Sequence, residues 1–180
     1  QTPVRDTGTR ADLIDQLIAN IHALNATIGN NSSLILDSKL DSYYLVNVLL
    51  INLPDGQDLI AQSLILDIPA MARQDSTVGL ARTSTLNGLL QSNSTNTQNS
   101  LQITFENNPT KLLQASLEPL LKTTSQDVVN FTNAIGRIWG TQGKGENLDE
   151  YPNAGAAALR SSFQLWDRGA GELDTLLDAR

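Results

Sequence analysis

No cysteine occurs in this chain of 180 residues, and only one histidine. The first absence rules out a disulfide framework, a thiolate metal site and a cysteine nucleophile. The second leaves His22 without a partner for general-base, metal-ligand or triad chemistry, and a lone histidine on a helix is usually a surface or half-buried side chain. Long apolar runs are missing as well. The most apolar stretch, Leu45 to Leu53, is interrupted by Asn47 and Asn52 and falls short of the ~20 residues a spanning helix requires. Positive charge is also scarce: 12 Lys and Arg against 19 Asp and Glu give a net charge of −7 and an isoelectric point near 4.5. Such a field repels phosphate backbones and anionic lipid heads, which disfavours nucleic acid and membrane surfaces as partners. Gly140, Gly143 and Gly145 around Lys144 lack the spacing and the flanking strand of a phosphate loop. Asp12, Asp15, Asp127, Glu172 and Asp174 are dispersed singly, as solvated helix faces require. These absences argue against an enzyme and give no residues for a cofactor or metal.

What is present is helical periodicity. Ile14, Leu17, Ile21, Leu24 and Ile28 recur at three and four residues, one stripe along a helix that Gly29-Asn30-Asn31 then stops. Ala156, Leu159, Phe163, Trp166, Ala170, Leu173 and Leu177 repeat the rhythm as a heptad seam. Leu113, Leu117, Leu120, Val128, Phe131, Ile135 and Ile138 make a third stripe, with Thr124 inside it and Pro119 expected to bend the helix. Between Leu40 and Met71 the chain is apolar nearly all round, which predicts a central, well-buried helix kinked or broken at Leu53-Pro54. Residues 76–107 form a further helix, capped near Asp75-Ser76-Thr77. Its stretch from Gln91 to Ser100 has no apolar side chain and reads as a polar face turned to water or to a wet interior, the alternative being a loop that splits two helices.

Helices are therefore expected near 8–29, 41–73, 76–107, 110–141 and 151–180, with no strand. Long antiparallel helices joined by short connections predict one all-α domain over 1–180, an elongated up-and-down bundle of the four-helix type. A bundle held between two membrane helices begins and ends at one pole and needs an even number of helices. Five is odd, so either a helix precedes Gln1 or a reversal near 29–41 or 73–76 is not a full one. Asn-x-Ser/Thr matches at Asn25, Asn30, Asn31, Asn93 and Asn130 are expected by chance in so Asn- and Ser-rich a chain.

Asp41, Ser42, Tyr43 and Tyr44 stand together, which no core-packing rule requires. Asp41-Ser42 suits a helix N-terminus, where carboxylate and hydroxyl meet free amides. Tyr43 and Asn47 share a helix face, and a buried phenol or amide needs a hydrogen-bond partner, supplied by a neighbouring helix, by water or by a ligand. The stretch Leu34 to Tyr44 resembles the LxLDPxxDSYYLM signature of extracytoplasmic sensor domains in bacterial methyl-accepting chemotaxis receptors and sensor histidine kinases, with Ser38 in place of proline and Val46 in place of methionine. Asn52-Leu53-Pro54, Asn108-Pro109 and the closing helix from Phe163 fit the same pattern more thinly.

The resemblance implies a periplasmic small-molecule sensing domain of a transmembrane receptor. Membrane helices would flank it, its C-terminal helix would relay ligand binding to a cytoplasmic module, and it would pair as a weak homodimer. It implies no particular ligand. A ligand site is expected between helices near Asp41, Tyr43, Tyr44 and Asn47, completed by Arg73 or Arg82 where an acidic domain captures an anion. The competing expectation is an adaptor bundle that binds a protein partner and no small molecule.

Overall fold

Proline placement decides how the first long helix is built. Pro54 lies inside it without a break: α1 (Leu40–Asn47), a five-residue π-helical segment (Val48–Asn52) and α2 (Leu53–Ile65) run end to end as a single rod. Pro69 does break the chain, because it cannot donate to the Ile65 carbonyl as a continuing helix would require. Leu66 turns extended there. Asp67 then caps α3 (Ile68–Arg73), its carboxylate accepting from the Ala70 N–H at 3.0 Å. The expected helix over 41–73 is thus a rod and a separate turn of helix. A computed structural model describes residues 13, 16–21, 23–24, 27, 39–145 and 147–179; of these 88% are helical and none is in a strand. The break at 30–33, Leu34 to Ser38, His22 and most of the helix expected over 8–29 lie outside the described residues.

Beyond α3 come α4 (Thr77–Asn107), α5 (Leu112–Thr141) and α6 (Glu150–Asp178). Ser76 caps α4, accepting from the Gly79 N–H at 3.1 Å, and the helix continues unbroken through Gln91 to Ser100, so the loop alternative fails. α5 runs through Pro119 without interruption. Each rod packs antiparallel on the next, and α6 closes the ring against the 40–65 rod, an all-α four-rod bundle. One pole holds the start of α1 and the 108–111 connection; the other holds α3 and the 142–149 turn. The first rod is one of four equivalent walls, not a central helix, with Leu40, Ile51 and Ile65 exposed. Leu17, Ile21 and Leu24, the described members of the N-terminal stripe, are helical and exposed.

The core is divided. One apolar cluster, around Ile60, Ile68, Leu90, Phe131, Ile135 and Tyr151, fills the α3 pole, and another, around Leu45, Leu49, Leu101, Phe105, Leu117 and Leu165, fills the opposite half. The buried polar residues Asn52, Thr97, Ser100, Thr124 and Ser162 occupy the levels between.

α6 corrects the sequence reading most sharply. Its buried face is Tyr151, Gly155, Ala158, Ser161, Ser162, Leu165 and Gly169. The expected seam is the neighbouring stripe: Ala156 is exposed, Leu159, Ala170, Leu173 and Leu177 are half-buried, and Phe163 and Trp166 are 54% and 39% exposed. Close approach is the reason. A Cβ on Gly155 would stand 2.7 Å from Leu64 Cδ2 and 2.9 Å from Phe131 Cε2, and one on Gly169 would stand 2.8 Å from Leu49 Cδ2, so the inner face admits only small side chains at these levels. Between and beyond those levels Leu165 and Tyr151 bring larger side chains inward. The Tyr151 ring stacks on Phe131 with centroids 5.6 Å apart, and its hydroxyl donates to the Ser63 carbonyl in the last turn of α2, satisfying a helix-end acceptor.

Gly155→Ala should lower stability by about 1–3 kcal/mol through overpacking. Gly136→Ala, where a Cβ meets nothing within 4 Å, should raise it by about 0.5–1 kcal/mol through helix propensity. Urea unfolding of both variants distinguishes the effects by sign.

Burial, reinforced by the nearby charge of Asp67, pushes the Tyr151 hydroxyl up to about 12 from an ordinary value of 10.0. A raised folded-state value means that this contribution to stability is complete below the unfolded value and is lost as pH rises through the folded one. Unfolding free energy should therefore fall between about pH 10 and about 12, and Tyr151→Phe should flatten that part of the pH profile.

Candidate functional site

Asp41 lies in the first turn of α1 and not at its cap, which is Lys39. One carboxylate oxygen accepts the Ser42 N–H at 2.9 Å, and the other accepts from Asn108 Nδ2 at 3.3 Å. Asn108 is itself buried and accepts from Thr110 Oγ1 at 2.9 Å, so this chain of bonds pins the start of the rod to the connection between α4 and α5. Ser42 Oγ donates to the Lys39 carbonyl at 3.1 Å. Structural work thus accounts for Asp41 and Ser42. Tyr43 and Tyr44 remain. Their rings meet edge to face at 5.2 Å and 88°; Tyr43 is exposed, Tyr44 half-buried, and neither hydroxyl is hydrogen-bonded among the described residues.

Asn47 points instead toward the π-helical segment. Its Nδ2 reaches Asn52 Oδ1 at 3.5 Å, and Asn52 Nδ2 reaches Ser100 Oγ on α4 at 3.4 Å. The segment arises from Pro54. In the five-residue register the Leu53 N–H bonds the Val48 carbonyl, and the group that would serve Leu49 is Pro54, which has no N–H. The orphaned Leu49 carbonyl accepts from Trp166 Nε1 on α6 at 2.9 Å, and the Asn52 carbonyl accepts from Asn93 Nδ2 on α4 at 2.9 Å. A side chain of α6 therefore completes the backbone bonding of this rod, and one of α4 adds a second bond to it. The sequence carried a signal for this: a proline inside a helical stretch requires an outside donor to a nearby carbonyl.

The two expected arginines are elsewhere. Arg73 ends α3 at the other pole, near Gly143, and Arg82 is exposed on α4, roughly 39 Å from Asn108 at 1.5 Å per helical residue. Neither can share a ligand with Asp41 or Tyr44, so the expected guanidinium half of the site is not assembled.

Among the described residues, two open grooves and a smaller, partly enclosed cavity are lined by residues other than Asp41, Tyr43, Tyr44 and Asn47. A groove of about 480 Å³ between α5 and the start of α6 carries Asp127, Asn130, Asn133 and Asn153 beside the exposed Arg137–Glu150 ion pair. One of about 620 Å³ between α4 and α5 carries Gln98, Gln102, Lys122 and Glu118, whose carboxyl is held below the ordinary range by hydrogen bonds from Lys122 and Gln114. The smaller cavity is about 20 Å³ and lies in the polar midsection. Farther along α6, Ser116 Oγ on α5 donates to Glu172 at 2.6 Å and accepts from Arg168 Nε at 2.6 Å, tying α5 to the last turns of α6. Among the described residues no cluster of His, Asp and Glu could hold a metal ion, and no helix is long and apolar enough to cross a membrane.

No family model matches the chain, and no characterised protein or solved structure is detectably similar to it.

Proposed function

We propose that the chain is the periplasmic, small-molecule sensing domain of a transmembrane signalling receptor, a chemotaxis receptor or a sensor kinase, and that α6 relays ligand binding toward the membrane. The observation that carries this reading is the Tyr43–Tyr44 pair. The signature-like stretch ends in two edge-on phenols whose hydroxyls no other described group uses, while the adjoining Asp41 is locked in place through Asn108. A fixed carboxylate beside two uncommitted phenols is a preorganised polar rim, suited to orient a ligand lying against the start of the rod. Asn47 extends that rim toward the π-helical segment. The relay is supported by the inner face of α6. Gly155, Ala158, Ser162 and Gly169 carry no long side chains into the neighbouring rods, so a displacement of α6 that gives up the Trp166–Leu49 bond meets less interlocking than one between leucine-lined faces.

The partner on this reading, apart from the ligand, is a second copy. The half-buried to exposed stripe Leu159, Phe163, Trp166, Ala170, Leu173 and Leu177 beside the inner face keeps coiled-coil spacing, with Arg160, Asp167 and Asp174 exposed along one edge. Its length of roughly 27 Å and width of roughly 10 Å offer on the order of 300 Å² per partner. That is well under the ~800 Å² per side of a stable complex, so the contact holds only when tethering raises the effective concentration to about the millimolar range.

Thermal-shift screening of a small-molecule library should find a ligand that raises Tm by mass action. Tyr44→Phe should then weaken its binding by ~1 kcal/mol or more without lowering the stability of the free domain. Unchanged affinity with lowered stability would make the signature residues purely structural.

Sedimentation of the isolated domain at micromolar concentration should show monomer, with Phe163→Glu reducing cross-linking in the membrane-anchored receptor. A nanomolar dimer in solution would contradict tether-dependent association. Capture of a different protein through the same stripe, with no ligand found, would favour the adaptor reading.

A further inference from the structure

We propose that the midsection of the bundle binds a single water molecule, held between α4, α5 and α6 where they face α2. The site is a partly enclosed cavity of about 20 Å³ whose apolar wall includes Leu53, Ile60, Leu90 and Val128 and whose polar lining includes Asn93 and Thr97 of α4, Thr124 of α5 and Ser162 of α6. That volume exceeds the ~10–15 Å³ one water needs and leaves no room for a second or for an organic ligand.

Thr124 supplies the independent observation. Its side chain is buried, and its hydroxyl has no hydrogen-bond partner among the described residues. The other buried helical threonines behave differently. Thr83 bonds the Gly79 carbonyl at 2.8 Å, Thr97 the Asn93 carbonyl at 3.0 Å and Thr104 the Ser100 carbonyl at 3.0 Å, four residues back, and Thr132 bonds the Val129 carbonyl at 3.1 Å, three residues back. Thr124 forgoes that bond and lines the cavity instead. A hydroxyl left dry in such a place loses its hydration with nothing in return, and valine, of nearly the same shape, would serve the apolar stripe of α5 better.

The lining also defines the chemistry of the guest. Thr97 Oγ1 has committed its proton to the Asn93 carbonyl and offers only lone pairs. Ser162 Oγ accepts from Gln57 Nε2 at 3.1 Å and keeps its own proton to give. Thr124 can act either way. A guest must therefore donate and accept at once. No charged side chain lines the cavity, which rules out an ion through uncompensated desolvation. Water is the guest that meets the size, the bonding and the neutrality. It is a structural component of the fold, independent of the sensing reading, because its test involves no added ligand and its failure leaves that reading untouched.

The test compares the wild-type domain with Thr124→Val. A crystal structure at better than 2 Å should show a density peak within hydrogen-bonding distance of Thr124 Oγ1, and oxygen-17 relaxation dispersion should count one long-lived water fewer in the valine variant. Removal of a water partner should lower Tm by about 2–4 °C. A Thr124→Val domain that melts at the same or a higher temperature, together with an empty wild-type cavity, would overturn the proposal and leave Thr124 as a dry, unsatisfied hydroxyl.

Discussion

The missing N–H of Pro54 constrains more of this molecule than any single apolar contact does. A proline inside a long helix leaves one carbonyl without a donor and crowds another. The chain answers with a local change of register over Val48–Asn52, which moves the orphan to Leu49 and turns it toward α6. Trp166 must then sit where its indole N–H reaches that carbonyl, and this fixes α6 in height and rotation against the first rod. Asn93 does the same for α4 through the Asn52 carbonyl. Two of the three remaining rods are thus positioned by hydrogen bonds of definite direction, and nonspecific apolar packing fills in above and below. The polar midsection is the counterpart of that arrangement: donors and acceptors were needed at this level, so the apolar core is divided around it.

This division explains what could and could not be seen in the sequence. The long helices were legible almost to the residue because the apolar positions from Leu113 to Ile138 recur at helical spacing and because Ser76, Asn108 and the glycines at 143 and 145 punctuate them. The break before α3 was not, since Pro54 and Pro69 look alike in a one-dimensional pattern and differ only in whether other helices supply the lost bonds. The face of α6 misled for a related reason. Hydropathy ranks Phe163 and Trp166 above Gly155, Ser162 and Gly169, yet the distance between rods is short enough that the small residues belong inside. Recurrence of Gly, Ala and Ser every three or four residues was the available signal.

The placement of the candidate site residues was legible in part. Asp41, Tyr43, Tyr44 and Asn47 do gather at one pole and along one rod, as their spacing required. What each bonds to was beyond reach, because Asn108 lies 67 positions from Asp41 and the link exists only once α4 has folded back. The arginines failed on geometry alone. Charge arguments locate a need for a guanidinium without locating the guanidinium, and in an elongated bundle two helix ends can be nearly 40 Å apart at 1.5 Å per residue. The polar run in α4 was ambiguous because Thr97, Ser100 and Thr104 are buried despite their chemistry, so no hydrophobic period marks the inward face.

The ring arrangement carries a kinetic implication. The first rod with α4, α4 with α5, and α5 with α6 are neighbours in sequence joined by short connections, and such pairs close at small entropic cost. The fourth wall, α6 against residues 40–65, joins segments about a hundred positions apart, tied by the Trp166 indole on Leu49, the Tyr151 hydroxyl on Ser63 and Gln57 on Ser162. Assembly should proceed as a three-walled trough that α6 shuts last, and partial unfolding should reopen it along the same line. On the proposed sensing role, the helix that would transmit the signal is therefore also the one that the chain's own topology leaves easiest to detach.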